Sequence, residues 1–236
     1  MMDFSNGLAV VTGATDGIGR AIAFALGKAG ARIAICARTG ANVTRTVAEL
    51  KGEGIDAIGT ACDVADPASV RTFADYVRRE RGDPAILVNN AGVGVFAPLA
   101  QLALEDWDRV MGTNVRSLYL VTRAFLDGIT KAGGVIVNIG SLAGRNGLEG
   151  GTAYCASKHA LLGFSKSLML EVRKSGTRVI AICPGSVSTN FSDRQGKRAN
   201  VERILTPDDV AQAVLGAVTL PQRAMISELD LRPTNP

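Results

Sequence analysis

Residues 12–19 read Thr-Gly-Ala-Thr-Asp-Gly-Ile-Gly, directly after the apolar run at 8–12 and at the opening of a helical pattern over 17–29. Glycine tolerates positive φ and lets backbone approach a ligand closely, so Gly13, Gly17 and Gly19 can bend the chain from strand into helix. The first helical N–H groups then point outward, where a pyrophosphate can sit. Glycines alone carry little weight, because plain turns use them too. Their place between a strand and a helix points to a dinucleotide. A Walker-type phosphate loop fits poorly, since no lysine followed by serine or threonine comes after the last glycine.

Outward from this turn, short apolar runs alternate with longer amphipathic stretches. Strands are predicted at 8–12, 32–37, 57–62, 85–89, 134–139, 178–183 and 225–231. Helices are predicted over 17–29, 41–53, 67–81, 105–131, 152–174 and 207–220. Nearly continuous apolar runs such as VIVNI and RVIAIC indicate strands covered on both faces. Each gap can hold the crossover helix that a parallel neighbour requires. The pattern predicts one α/β domain with a doubly wound parallel sheet and helices on both faces. In such sheets ligands bind beyond the carboxyl ends of the strands, so the chemistry is sought there.

Composition narrows the classes. A chain of 236 residues can bury one substantial core but is short for two domains and a linker. With 47% hydrophobic and 20% charged residues it resembles an ordinary globular protein. The single histidine, His159, speaks against a zinc hydrolase, which needs several imidazole or thiolate ligands, and no metal is expected. A net charge of +4 is too small and dispersed to imply nucleic-acid binding. Cys36, Cys62, Cys155 and Cys183 have no paired spacing and are read as reduced thiols. The uncharged stretch 84–104 is broken by Pro84, Asn89, Asn90, Gly92, Gly94 and Pro98, too polar for a lipid-facing helix. The start, MMDFSNG, lacks the basic and apolar regions of a signal peptide, so a soluble, cytoplasmic protein without membrane partners is expected.

The second predicted strand ends in Ala37-Arg38-Thr39, roughly 20 residues past the glycines. An acidic residue there would accept from the ribose 2′-hydroxyl of NAD, whereas arginine suits the 2′-phosphate of NADP. Arg38 therefore favours NADP(H) over NAD(H). Asp16 opposes this mildly by charge repulsion, and Arg20 could assist or simply face solvent.

Tyr154 and Lys158 lie four apart at the start of a helical stretch and so share one face. A phenol titrates near 10, and an adjacent ammonium would lower that value and make a tuned acid/base. In isolation a Tyr-x-x-x-Lys is more often a surface tyrosine beside a solvated lysine. Ser141, 13 residues earlier at the end of a strand, changes the balance, because its hydroxyl can reach the same substrate oxygen. Gly140-Ser141-Leu142-Ala143-Gly144 does not place serine at the centre of a nucleophile elbow, and His159 points about 100° away from Lys158. A Ser/His hydrolase is disfavoured.

The motifs TGATDGIG (12–19), CDV (62–64), NNAG (89–92), TNV (113–115), GS (140–141), YCASK (154–158) and PGSVST (184–189) come in order across almost the whole chain. Together they resemble the short-chain dehydrogenase/reductase family. The resemblance implies a single-domain Rossmann fold with a seven-stranded sheet, a cofactor half over about 1–135 and a catalytic half over about 136–236. It also implies a catalytic set of Asn114, Ser141, Tyr154 and Lys158. Cofactor contacts would come from Gly13, Thr15, Asp16, Gly17, Ile18, Gly19, Arg38 and Thr39 in the first half. Asp63 and Val64 would border the adenine, with Asn89, Asn90, Ala91 and Gly92 near the cofactor's middle. Tyr154, Lys158, Pro184, Gly185, Val187 and Thr189 would complete the nicotinamide end. Without the family, Asp63 reads as a strand-end carboxylate, Asn89-Asn90 as a turn and Pro184-Gly185 as a strand break.

On this resemblance NADPH delivers hydride to a carbonyl while Tyr154 supplies the proton, Ser141 hydrogen-bonds the developing alkoxide and Lys158 lowers the tyrosine pKa. Asn114 would position a water leading from Lys158 to solvent. The block 140–166 is most similar to 3-oxoacyl-[acyl-carrier-protein] reductases, whereas the ending ISELDLRPTNP is similar to reductases of 3-hydroxy acids and small ketones. The expected substrate is a small carbonyl or alcohol compound, free or carrier-bound, with other ketones, sugars and steroids as alternatives. Arg194, Lys197, Arg198 and Arg203 could attract an anionic substrate or form a solvated loop face, and Arg145 is equally ambiguous. Family members pair through the helices at 105–131 and 152–174, implying a homodimer or homotetramer. A catalytically silent dinucleotide-binding regulator is the reading from another class.

Overall fold

All five residues of β1 (Leu8–Thr12) are buried. The computed structural model describes residues 7–189 and 204–234. From β1 the chain passes through α1 (Gly17–Lys28), β2 (Arg32–Ala37), α2 (Gly40–Gly52), β3 (Ala57–Ala61), α3 (Pro67–Arg81) and β4 (Ile86–Asn89). It continues with α4 (Leu104–Met111), α5 (Ser117–Lys131), β5 (Val135–Ile139), α6 (Thr152–Val172), β6 (Arg178–Pro184), α7 (Pro207–Val218) and β7 (Glu228–Leu231). The seven strands form one sheet in the order β3-β2-β1-β4-β5-β6-β7, every pair parallel. This is the doubly wound Rossmann arrangement that the alternation predicted.

Period-2 geometry sends alternate residues of each buried strand to opposite faces. Ala9, Val11, Ile33, Ile35, Val135 and Val137 pack in one apolar layer with Ile22 and Leu26 of α1, Val43 and Leu50 of α2, and Val210 and Val214 of α7. Leu8, Val10, Ala34, Leu87 and Ile136 pack in the other with Phe73 and Val77 of α3, Phe125 of α5 and Leu168 of α6. Phe73 and Phe125 meet edge to face, ring centroids 5.9 Å apart. Truncating either would remove about 3–5 kcal/mol through lost burial and a cavity.

Helix starts follow side-chain chemistry. Asp66 accepts from Ala68 N and Ser69 N ahead of Pro67, and Thr206 and Asp209 cap each other reciprocally at α7. Two predicted elements differ. The stretch 105–131 is not one helix: a wide π-type turn, Gly112–Arg116, separates α4 from α5. Within it the side chain of Asn114 bonds both backbone groups of Val93, so a tertiary contact wins over the regular helical register. At the sheet edge β7 is shorter than 225–231, its pairing with β6 beginning at Glu228. Other strand and helix ends shift by one or two residues.

A polar chain crosses the core where sequence shows only an apolar run. Asn89 Nδ2 donates to Thr122 Oγ1 and Asn138 Oδ1, and Asn138 Nδ2 donates to Ser165 Oγ. It ties β4 and β5 to α5 and α6. All four cysteines are buried and unbridged. Among the described residues no helix is long and apolar enough to cross a membrane, and no His/Cys/Asp/Glu cluster could hold a metal ion.

Candidate active site

After β1 the chain runs out to β2 and β3, then returns to place β4 on the other side of β1. The connections leaving β1 and β4 diverge, and a crevice opens at their carboxyl ends. Gly13 (φ +64°) starts the turn and donates its N–H to Cys36 O at 2.8 Å. Asp16 caps α1 by accepting from Gly17 N at 2.8 Å. Asn90 Nδ2 donates to the carbonyls of Thr12 and Gly13 at 2.9 and 3.1 Å, and Thr12 Oγ1 accepts from the N–H groups of Asn90 and Ala91. The glycine turn and the NNAG segment are therefore one hydrogen-bonded unit.

A cleft of about 710 Å³ lies over this unit, within the range usual for ligand sites, about 300–1,000 Å³. Its lining includes Gly13, Thr15, Asp16, Gly17, Ile18, Arg38, Thr39, Asp63, Val64, Asn90, Ala91 and Gly92. Ser141, Tyr154, Lys158, Pro184, Gly185, Val187 and Thr189 line the same cleft. Strand order puts them in sequence along the sheet: Asp63 after β3, Arg38 after β2, Gly13 after β1, Asn90 after β4, Ser141 after β5, Gly185 after β6. Such an elongated site with a glycine cradle in its middle fits a dinucleotide. Gly17, at φ +51°, lies under Thr189, whose Cγ2 would stand 3.1 Å from an added Cβ.

Three expected residues do not line the cleft. Gly19 packs inside, where a Cβ would come within 2.3 Å of Asn90 Nδ2 and 2.5 Å of Gly13 O. Its role is to let α1 approach the turn. Asn89 points into the core chain with Thr122 and Asn138. Asn114 is buried behind the cleft, bonded to Val93 and, through Nδ2, to Ser157 Oγ at 2.9 Å.

At the β5 end Ser141 and Tyr154 line the cleft together, near enough for the serine hydroxyl to act on the phenol. Ser141 Oγ also accepts from Ala143 N at 3.1 Å. Lys158 is 6% exposed, and its Nζ donates to Ile139 O at 2.9 Å while lying 5.7 Å from the Tyr154 ring centroid. Burial pushes the Tyr154 phenol above its ordinary value, and the Ser141 hydrogen bond only partly opposes it. The structure thus reverses the expected direction: desolvation outweighs any help from Lys158, whose amine is turned to a carbonyl. Burial also pulls Lys158 down to about 8. The chemistry available is a protonated phenol with a hydroxyl partner, beside an amine poised to titrate near neutral pH.

Charged neighbours resolve two ambiguities. Arg20 bonds Glu49 through Nε and Nη2 and stacks over Phe24, so it serves helix packing. Arg145 is taken up by Asp230 and Glu228 of β7, at 2.6 and 2.5 Å, which anchors the turn after Ser141 instead of offering a free cation to the cleft. Arg38 stays exposed at the cleft mouth. Arg194, Lys197, Arg198 and Arg203 lie outside the described residues. Sequence reasoning missed Phe96, Leu142, Asn146 and Leu148, which line the cleft from loops. No spacing rule marks such residues.

Comparison with known proteins agrees with this geometry. The family profile described as short chain dehydrogenase matches residues 7–200. A Streptomyces violaceoruber protein named as ketoacyl reductase 1 of granaticin polyketide synthase is 44% identical over 190 residues, 79% of this chain and 70% of that one. The 3-oxoacyl-[acyl-carrier-protein] reductase FabG of Pseudomonas aeruginosa is 35% identical over 97% of this chain and 88% of its own. Among solved structures, a single-residue variant of actinorhodin polyketide ketoreductase with NADPH superposes with a TM-score of 0.90 at 33% identity, covering 99% of this chain and 98% of that one.

Proposed function

The chain belongs to the short-chain dehydrogenase family, and on that footing we propose that it is an NADP(H)-dependent oxidoreductase interconverting a carbonyl and a secondary alcohol, with 3-oxoacyl thioesters as its substrate class. One observation carries the reading: Ser141 and Tyr154, with buried Lys158, share a cleft with the glycine turn. The ketoacyl reductase names of its relatives and the NADPH of a solved neighbour support it.

Bound NADPH would supply the hydride. The Arg38 guanidinium would hold the 2′-phosphate at the end of β2, and the N-terminus of α1 would face the pyrophosphate. Tyr154 Oη protonates the carbonyl oxygen as it becomes an alkoxide, and Ser141 Oγ donates to the same oxygen. A phenol kept protonated by burial suits the reductive direction. Lys158 holds a proton close behind Tyr154 for its replenishment, and Asn114 fixes the loop at Val93 that walls the site. Exposed Tyr119 on α5 and Leu170 on α6 support a homodimer or homotetramer built on those helices.

Oxidation of NADPH, followed by absorbance with an acetoacetyl thioester as acceptor, tests this function. Turnover is expected with NADPH at higher kcat/KM than with NADH. Cofactor binding without turnover of any carbonyl compound would favour the silent regulator.

A further inference from the structure

The loop after β4 is pinned on both sides of one aromatic residue. Val93 is held through both backbone groups by Asn114, at 2.8 Å each. Ala97 donates its N–H to Gly150 O at 2.8 Å, just ahead of α6. Between these anchors the Phe96 ring lies against the ring of Tyr154, centroids 5.4 Å apart and tilted by 52°. Val93, Leu142, Ala143 and Leu148 extend the same apolar wall. Among the described residues the only charged side chain lining this end of the cleft is Lys158, and Arg145 nearby is occupied by two carboxylates.

We propose that Phe96 is the specificity-determining residue of the cleft and selects ketones that carry an uncharged, flat apolar group beside the carbonyl. The inference rests on the reductase reading above. A carbonyl oxygen within reach of both Tyr154 and Ser141 leaves its substituents alongside the aromatic neighbour of Tyr154, which is Phe96. An aryl or conjugated group gains offset or edge contact with that ring. A free carboxylate at the same place is stripped of water, and among the described residues the one cation lining that end, Lys158, is buried and bonded to Ile139 O. The wall thus admits a neutral 3-oxo ester or thioester and disfavours the 3-oxo acid anion. Phe96 also keeps water from the Tyr154 phenol, whose high pKa follows from burial.

The test compares kcat/KM for ethyl benzoylacetate, ethyl acetoacetate and the acetoacetate anion, with NADPH Kd measured on every variant. The wild type is expected to prefer the aryl ester over the aliphatic ester by about tenfold, and the anion to be the poorest substrate. Phe96→Ala should bring the two esters within about twofold, Phe96→Tyr should keep the preference, and Phe96→Leu, which keeps apolar bulk, should fall between. In Phe96→Ala the alkaline limb of reductive kcat/KM should also move to lower pH, as water reaches the phenol. Unchanged ester ratios in variants that still bind NADPH would overturn the role of Phe96 alone. A wild type that reduces no ketone would overturn the reductase reading, and this inference with it.

Discussion

Lys158 Nζ donates to the carbonyl oxygen of Ile139 at 2.9 Å, joining the helix of Tyr154 to the last residue of the strand that leads into Ser141. The contact sets the two hydroxyl-bearing elements relative to each other through a buried amine. Burial opposes the charge, so the group is tolerated for what it does and not for stability.

Lys158→Met should therefore be at least as stable as the wild type at pH 7 while losing activity. Burial lowers the folded pKa from the ordinary 10.5 to about 8, so the unfolded chain binds more protons between those values. The penalty is fully present below pH 8 and disappears as pH rises to 10.5. It amounts to about 1–3 kcal/mol, less the bond to Ile139. Urea denaturation at pH 7 and pH 10 checks the sign: the variant's advantage should shrink at the higher pH.

Tyr154→Phe keeps the ring against Phe96 and removes the hydroxyl that carries the proton. Reductive kcat should fall by about 10²–10⁴, with NADPH Kd within about twofold. Near-normal kcat would remove Tyr154 from the chemistry.

Arg38→Ala should raise the KM for NADPH by about 10–100-fold, the loss of a charge-assisted hydrogen bond to a phosphate, and leave KM for NADH unchanged. Steady-state kinetics with both cofactors decides it. A parallel rise for NADH would mean that the residue shapes the loop without reading the phosphate.

Arg145→Gln strands two neighbouring carboxylates. Burial pushes Glu228 up, but its bonds to Arg145 and Lys166 outweigh this and hold it below the ordinary carboxylate range. The stabilisation is thus present above the usual carboxylate pKa and lost as pH falls through the lowered value. At pH 7 the variant should lose about 1–3 kcal/mol, and the difference from wild type should narrow under acid. Denaturation at pH 7 and pH 4 measures it.

Much of this was legible in the sequence, for physical reasons. Strand positions followed from apolar runs buried on both faces, and the α7 start from Thr206-Pro207-Asp208-Asp209. The cleft followed from glycines whose place between strand and helix fixes a turn. Asn89 was expected beside the cofactor and Asn138 looked like one polar residue in an apolar strand, and only the fold shows them facing each other across β4 and β5. Arg145 looked available until β7 supplied two acids from over eighty residues away. The pKa of Tyr154 was misjudged because spacing along a helix says nothing of how deeply the pair is buried.

The wide turn at Gly112–Arg116 takes up one residue more than regular winding would use and carries Asn114 at its centre. Removing one residue would close the wide turn into regular winding and leave the faces of α4 and α5 nearly where they are, because the turn is what absorbs the extra residue. Asn114 would lose its place beside Val93, while Val121 and Phe125 would stay in their apolar layer. A deletion within these five positions should thus free the loop at Val93 while the fold holds, a loss that activity shows before stability does.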